Sequence, residues 1–283
     1  MSSPGTARRL WALGEPFHAL IYFADECLTA GKGAGLTGFW STYFAFRAAP
    51  LGPVGSELVT ATFFNFAPAF VARRVPAVWD AVTPADALAA RLAGIDAAVR
   101  RVLGDEADLA ESAQLAGTAA AAVDLPGRPL AAANAGQPVP AEPHLALWQA
   151  LTTLREHRGD GHNAALVQRE VDGAAAHVLA AAAGRSTREW LQRARGWDDD
   201  AWDDASARLT ARGWLDGTEL SPAGLAMVAA IEADTDRLAL RPWQALGDAG
   251  CDRLAELLIP VRRAVVAAGG WPAGNPIGVP EPG

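Results

Sequence analysis

Apolar residues recur at helical spacing along almost the whole 283-residue chain, and few segments show the alternation of apolar and polar residues that is typical of strands. In the first half, the clearest helical patterns cover residues 10–23, 39–46, 58–70 and 84–103. In the second half, they cover residues 144–157, 162–183, 186–194, 198–213, 221–238 and a region near 247–268. This periodicity predicts an all-α protein.

Proline and glycine divide the helical pattern into two halves. They are concentrated at 123–130 and 135–143, where neither helix nor strand is favoured. We therefore expect a helical domain over 1–122, a Pro/Gly-rich connector over 123–143, a second helical domain over 144–268 and a flexible tail over 269–283.

The two halves share a sequence frame that is compatible with an internal duplication. Trp40 and Trp148 each precede an arginine, Arg47 and Arg155, by seven positions. Two glycines follow in each half (Gly52 and Gly55; Gly159 and Gly161). A duplication predicts two helix–glycine turn–helix units side by side, with their turns facing a common cleft. Chance similarity between two alanine-rich helices explains the same frame.

Composition favours a cytoplasmic protein. No apolar run reaches the ~18 residues of a membrane span, and the first twenty residues lack the apolar region of a signal peptide. The two cysteines, Cys27 and Cys251, form no disulfide or metal-binding pattern. The net charge of −8 argues against a general nucleic-acid binder, because phosphate contacts need a basic face. A monomer and a homodimer are both compatible with the sequence.

Residues 186–238 have the element order of a winged helix. A short helix, a turn and a second helix ending in LTARGWL precede a small hairpin around Asp216-Gly217, and SPAG then opens a long helix. This order resembles the winged-helix repressors of the multiple-antibiotic-resistance (MarR-like) type. The whole sequence, with FHALIYFADEC, FRAAPLGPVG and LREHRGDGH in that order, also resembles an actinobacterial family classed by its winged-helix-like domain. The resemblance implies a fold and no particular activity.

The charges of this module argue against DNA binding. Between residues 189 and 219, eight acidic residues oppose four arginines, which leaves a net charge of −4. Five aspartates lie at the start of the helix that would enter the major groove: Asp198, Asp199, Asp200, Asp203 and Asp204. Known modules present Arg, Lys, Asn or Gln there. We therefore expect a degenerate winged helix that does not bind nucleic acid, although the aspartates also suit a helix N-terminus.

One segment, LREHRGDGHNAAL, concentrates titratable side chains. The pattern predicts that His157 ends one helix and that His162 begins the next after a Gly-Asp-Gly turn. The free N–H groups of that second helix, with Arg155 and Arg158 nearby, would attract an anion. His157, Asp160 and His162 are the candidates for acid–base catalysis, should the protein be an enzyme. The competing interpretation is a structural corner held by capping and ion pairs.

Further candidate ligand contacts lie in the N-terminal half. His18, Tyr22 and Glu26 are spaced by four residues, which predicts one polar helix face. Phe63 and Phe66 flank Asn65 in a phenylalanine-rich helix, which is typical of a core and also of an apolar pocket wall with one polar contact. With Arg47, Arg155 and Arg158, these residues form the predicted ligand-binding set.

The motifs indicate no metal site, and they leave any cofactor unknown. A site formed by His18, Glu26, His157 and His162 would require the two halves to meet, and the two later histidines match no standard zinc spacing. Walker A, GxSxG and CxxC motifs are absent from the sequence.

The sequence thus favours a protein that binds a small organic molecule in a cleft between two helical halves and does not bind DNA. The alternative is a MarR-like transcriptional regulator that binds DNA and a small effector. Whether the bound molecule is also transformed stays open from the sequence, and so does the identity of any cofactor.

Overall fold

Helices dominate the computed structural model, which describes residues 3–272, 277 and 279. The first helices, with one 3-10 turn at Ala49–Leu51, are α1 (Pro4–His18), α2 (Leu20–Phe23), α3 (Asp25–Gly33), α4 (Gly38–Ala48), α5 (Ser56–Phe63), α6 (Pro68–Ala72), α7 (Val78–Ala81), α8 (Pro84–Leu103), α9 (Ala110–Ala120) and α10 (Pro129–Ala135). There follow α11 (Pro143–Gln168), α12 (Gly173–Ala182), α13 (Arg188–Arg195), α14 (Asp199–Ala211), β1 (Leu215–Asp216), β2 (Glu219–Leu220), α15 (Pro222–Leu238) and α16 (Arg241–Ala267). The all-α prediction is confirmed.

Helices α12 to α15 and the hairpin form the winged-helix module. The two strands are antiparallel, with Leu215 opposite Leu220 and Asp216 opposite Glu219. Gly217 turns the hairpin with a φ of 62°, a conformation that glycine adopts without strain. The hairpin predicted around Asp216-Gly217 is therefore present where the sequence indicated it.

Local capping fixes the helix starts in this module. The side chains of Thr187, Asp198 and Ser221 accept hydrogen bonds from backbone N–H groups three residues later, at 3.3, 2.9 and 3.0 Å. Such caps satisfy N–H groups that the helix itself leaves without partners. The module also has its own apolar core, whose larger members include Leu191, Trp202, Leu209, Trp214 and Ile231.

A second and larger core joins the N-terminal helices to α11 and α16. Its fully buried side chains include Phe17, Phe44, Phe46 and Trp148. Helix α16 packs against α1 and α9, so the last helix of the chain returns to the first. The boundaries at 123–143 stay a prediction, and most of the predicted tail at 269–283 lies outside the described residues. In the part of the chain that the structure describes, no helix has both the length and the apolar character needed to cross a bilayer.

Helix α11 runs without a break through the predicted Gly-Asp-Gly turn. The predicted helix end at His157 and helix start at His162 are both wrong, and so is the anion site based on that start. A Cβ added at Gly161 would lie 2.8 Å from Arg128 Nη1 and 3.2 Å from Leu238 Cβ. The glycine therefore permits close packing of neighbouring chain segments inside a helix, where a turn was expected.

The structural consequence drawn from a duplication is also wrong. Gly52 and Gly55 lie between the 3-10 turn and α5, whereas the corresponding pair, Gly159 and Gly161, lies inside α11. The two segments therefore do not present matching turns to a cleft. The duplication itself stays a prediction.

The predicted polar face of His18, Tyr22 and Glu26 is interrupted. Helix α1 ends at His18, and Ala24 is extended (φ −84°, ψ 133°) before α3 begins. Because the helix is broken twice, the spacing of four residues no longer places these side chains on one face. The pattern at 58–70 is divided in the same way, at Phe64 with its φ of 47°.

Candidate functional site

A cavity of about 500 Å³ lies between the winged-helix module and helices α1, α4, α5 and α11. On the module side it is lined by His177 of α12, Leu191 and Arg195 of α13, and Ile231 and Thr235 of α15. On the other side it is lined by Trp11, Tyr43, Phe63, Phe66, Asn163 and several arginines, and Ile277 also borders it. This volume is within the range of small-molecule sites.

The lining of the cavity is strongly cationic. Its six arginines are Arg8, Arg47, Arg155, Arg158, Arg185 and Arg195. The carboxylates that form ion pairs with them are Glu15, Glu156, Glu232 and Asp236. Six positive charges against four negative charges leave a surplus of two positive charges around the cavity.

Glu156 anchors the arginines on one wall. It accepts hydrogen bonds from Arg47 Nε and Nη2, both at 3.0 Å, and from Arg155 Nη1 at 3.1 Å. Burial alone would raise the pKa of Glu156, but the two guanidinium groups hold that pKa well below its ordinary value. The carboxylate therefore stays ionised and fixes both arginines at the cavity.

Arg195 differs from these arginines in its partners. Its Nη1 donates to the carbonyl of Ala194 at 3.2 Å, and its guanidinium carbon lies 4.7 Å from the centroid of the Phe66 ring. Within the described part of the chain, no carboxylate lies within ion-pair distance of it. Burial lowers the pKa of Arg195, and repulsion from Arg47 and Arg155 lowers that pKa further, although Tyr43 opposes the shift.

Six of the nine predicted ligand-binding residues line this cavity, namely Arg47, Phe63, Asn65, Phe66, Arg155 and Arg158. The other three lie elsewhere. His18 is buried and shares a 2.9 Å hydrogen bond with Thr152, Tyr22 packs against Tyr43, and Glu26 pairs with Arg101 near the surface. The roles of the six as ligand contacts stay predictions.

The three candidate catalytic residues have separate structural partners. His157 Nε2 lies 2.6 Å from Asp124 Oδ1, and the Asp160 carboxylate accepts the N–H of Ala131 at 2.9 Å. His162 Nδ1 lies 2.9 Å from Thr235 Oγ1, and of the three only His162 is among the residues lining the cavity. The three therefore form no acid–base unit.

The residues considered for a metal are likewise not assembled into a site. Among residues 3–272, 277 and 279, no group of three or more His, Cys, Asp or Glu side chains is placed to hold a metal ion. His18, Glu26, His157 and His162 are each bound to a different partner.

Sequence reasoning missed Arg8, Trp11 and Arg195 as cavity residues. Arg8 pairs with Glu232 and Asp236 of α15, and Trp11 lies under the guanidinium of Arg158 in α11. Each contact joins residues more than a hundred positions apart, and no local pattern reports it. Arg195 was counted only as a charge of the winged helix. One local signal could have identified Arg195: it lies one helical turn after Leu191, which is buried, and so shares the inner face of α13.

The outer face of α14 is exposed, as a recognition helix requires. Four of its five early aspartates have partners inside the protein. Asp199 and Asp203 pair with Arg188 at 2.7 and 2.8 Å. Asp204 pairs with Arg208 at 2.9 Å, and Asp198 caps the helix. The repulsion expected from the charge count is therefore smaller than five free aspartates would give.

The chain matches a helix-turn-helix family over residues 7–272. No curated protein and no solved structure matches it. The family match contradicts the expectation of a small-molecule binder without DNA binding, and it contradicts the exclusion of nucleic acid as a partner. That expectation is wrong, since it rested on a count of aspartates that took no account of their ion pairs.

The match extends from the first helix to beyond the last one, and therefore includes the cavity helices as well as the winged helix. The chain belongs to this helix-turn-helix family.

Proposed function

We propose that the protein is a transcriptional regulator that binds double-stranded DNA through its winged-helix module. The observation that carries the proposal is the helix-turn-helix family match over residues 7–272, which includes a module with an exposed second helix and a hairpin. In such modules the second helix enters the major groove while the first crosses the phosphate backbone.

Helix α14 would be the recognition helix, preceded by α13. The side chains of Arg208 and Thr210 are exposed on α14, and Arg212 follows at its end. Guanidinium and hydroxyl groups are donors that can contact base edges and phosphates. Arg212 is held at the surface, since its guanidinium carbon lies 3.8 Å from the Trp214 ring and it donates to two backbone carbonyls.

The acidic start of α14 limits the affinity without preventing contact. Its ion pairs with Arg188 and Arg208 offset part of the negative charge, and Asp200 is the exposed aspartate of the group with neither a described ion pair nor a capping hydrogen bond. We therefore expect binding that relies on few phosphate contacts and that falls less steeply with salt than binding by a basic module.

Three finer features are part of the proposal. The first is a MarR-like regulator that responds to a small effector, for which the cavity offers a volume of suitable size. The second is an actinobacterial family, which the resemblance of the whole sequence supports. The third is a cytoplasmic location. A regulator of this kind works in the compartment that holds the DNA, which agrees with the cytoplasmic placement expected from composition.

The proposal is tested by fluorescence anisotropy of the purified full chain with labelled duplex DNA from upstream of its own reading frame. A shuffled duplex of equal length serves as the comparison. We expect the upstream duplex to bind at least about a thousandfold more tightly than the shuffled one. Equal affinity for the two duplexes, or no binding of either at low salt, would overturn the proposal.

A variant pair separates the module from the rest of the surface. Arg212→Gln should weaken binding to both duplexes and reduce the salt slope by about one. The matched control is Arg253→Gln, because Arg253 is an exposed arginine of α16, outside the winged helix. If the two variants changed DNA binding equally, the module would not be the contact surface.

A further inference from the structure

Arg195 belongs to the winged helix and to the cavity at once. It is the last residue of α13, and its side chain faces the wall formed by α4, α5 and α11. Its guanidinium lies over the Phe66 ring, and Arg47 and Arg155, which line the same cavity, repel its charge. A cation is thus held against other cations at the junction of the two parts of the molecule.

Such an arrangement favours an anion in the cavity. The guanidinium of Arg195 is partly buried, and its one described hydrogen bond, to the Ala194 carbonyl, and its contact with the Phe66 ring do not neutralise its charge. The surplus of two positive charges around the cavity matches a ligand with one or two negative charges. Guanidinium groups bind carboxylate and phosphate oxygens with paired N–H donors, so either oxyanion suits the site.

The aromatic walls specify the rest of the ligand. Trp11, Tyr43, Phe63 and Phe66 all line the cavity. Three arginines already lie over these rings. Arg47 Cζ is 4.3 Å from the Phe63 centroid, Arg158 Cζ is 4.5 Å from the Trp11 centroid, and Arg195 Cζ is 4.7 Å from the Phe66 centroid. Flat apolar groups pack well against such rings, while the arginines are placed for an attached charge.

We propose that the cavity binds an aromatic oxyanion, a ring carrying a carboxylate or phosphate group, with Arg195 as its main cationic contact, and that this binding changes the affinity of the winged helix for DNA. The first half stands on the cavity alone. The second half rests on the proposed function.

The coupling has a structural basis in the lining. Helices α12, α13 and α15 contribute one wall through His177, Leu191 and Thr235, whereas α4 and α5 contribute the opposite wall through Tyr43 and Phe63. A ligand that contacts both walls stabilises one arrangement of the module relative to the other helices. Any difference in DNA affinity between arrangements then becomes a coupling between the two sites.

The binding half is tested by isothermal titration of the full chain with four probes: 1-naphthoate, 1-naphthyl phosphate, neutral 1-naphthamide and inorganic phosphate. We expect at least one naphthyl anion to bind with a Kd below about 1 mM, at least tenfold more tightly than the amide and than inorganic phosphate. The tighter of the two anions identifies the preferred oxyanion. Equal affinity of anions and amide, or no binding by either anion, would overturn this half.

Arg195→Gln should weaken binding of the preferred anion at least tenfold and leave the amide unchanged. The matched control is Arg193→Gln, which removes an exposed arginine of the same helix and should bind the anion like the unsubstituted protein. Arg195→Lys keeps the charge and should recover part of the loss. Equal anion affinity of Arg195→Gln, Arg193→Gln and Arg195→Lys would show that Arg195 does not contact the anion. Should Arg195→Gln not fold, as judged by circular dichroism, the comparison of anion with amide on the unsubstituted chain still decides the binding half.

The regulatory half is tested by repeating the DNA titration with the preferred anion at saturation. A change of threefold or more in DNA affinity, lost in Arg195→Gln, supports the coupling. If the anion binds but the DNA affinity is unchanged, the coupling is overturned and the anion-site proposal stands. Anion binding by a protein that binds no DNA overturns the proposed function and the coupling together, while the anion site stands.

Discussion

Arg47 of α4 and Glu156 of α11 form a bidentate ion pair, in which Nε donates to Oε1 and Nη2 donates to Oε2, each at 3.0 Å. The neighbouring Arg155 donates to both oxygens of the same carboxylate at 3.1 Å. Glu156 is 1% exposed. One buried carboxylate therefore holds two cations and joins helices whose residues are 109 positions apart.

Glu156→Gln should lower the free energy of unfolding by about 3 kcal/mol, since it leaves two partly buried arginines without this carboxylate. Urea denaturation followed by circular dichroism measures the loss. The control is Glu111→Gln, which breaks the exposed pair with Arg253 and should cost less than about 1 kcal/mol. Similar small losses in both variants would contradict a structural role for the buried cluster.

Gly161→Ala and Gly159→Ala should have opposite effects on stability, although both glycines lie inside α11. A Cβ at Gly161 would lie 2.8 Å from Arg128 Nη1, which donates to the carbonyl of His157. At Gly159 the nearest atom, Glu156 Oε2, is at an ordinary 3.6 Å. We expect Gly161→Ala to destabilise by about 1–3 kcal/mol and Gly159→Ala to stabilise by up to about 1 kcal/mol. Thermal denaturation of the two variants and of the unsubstituted protein measures these changes. If both variants were more stable, the neighbours of Gly161 would accommodate the added Cβ without a loss of stability.

The same helix shows why part of the fold could not be predicted from the sequence. Gly-Asp-Gly favours a turn locally, but here it is enclosed by distant segments. Asp160 accepts a hydrogen bond from the N–H of Ala131, in the first turn of α10, and the guanidinium of Arg128 packs against Gly161. These contacts join residues about thirty positions apart, and no local pattern reports them.

The winged helix could be predicted because its signals are local. Ser221 caps α15 by accepting the N–H of Gly224, and Gly217 turns the hairpin, so both features depend on residues within a few positions. The cavity was predictable in part. Arg47, Arg155 and the phenylalanines were identified as polar or aromatic clusters, whereas Arg8 and Arg195 reach the cavity only through tertiary packing.

Asp160→Asn should become increasingly stabilising, relative to the unsubstituted protein, as the pH rises. Burial raises the pKa of Asp160 to about 6 in the folded protein, above its ordinary value of 3.8. The unfolded chain therefore loses this proton first, so the unsubstituted protein loses stability between pH 4 and pH 6. The two unfolding curves should diverge by up to about 3 kcal/mol over that range. Urea titrations at pH 4.5 and pH 7 measure this difference, with exposed Asp80→Asn as the control that should stay parallel to the unsubstituted protein.

His177→Gln should have the opposite pH dependence. Burial lowers the pKa of His177 to about 3, and repulsion from Arg195 contributes. The unfolded chain binds the proton near pH 6.5 while the folded protein does not, so stability is full above pH 6.5 and is lost as the pH falls toward 3. Glutamine can still donate to the carbonyl of Asn65, which the imidazole Nε2 reaches at 3.0 Å. For each pH unit below 6.5, the free energy of unfolding of the variant should fall by up to about 1.4 kcal/mol less than that of the unsubstituted protein. Parallel denaturant curves at pH 7 and pH 5 would contradict the assignment.

Asp200→Asn should strengthen DNA binding if α14 is the recognition helix. Asp200 is exposed in the first turn of α14, and no ion pair in the described residues neutralises it. Removing its charge reduces repulsion by phosphate, and at low salt we expect an affinity gain of about three- to tenfold.

The gain should shrink as salt is added, because an exposed charge is screened within about one Debye length. Asp80→Asn removes another exposed charge, from α7 outside the module, and should leave the affinity unchanged. A similar gain in both variants would indicate only the effect of net charge, and no gain in Asp200→Asn would place the start of α14 away from the DNA. Anisotropy titrations of both variants at two salt concentrations distinguish these outcomes, because only a charge close to phosphate combines a large effect with a steep salt dependence.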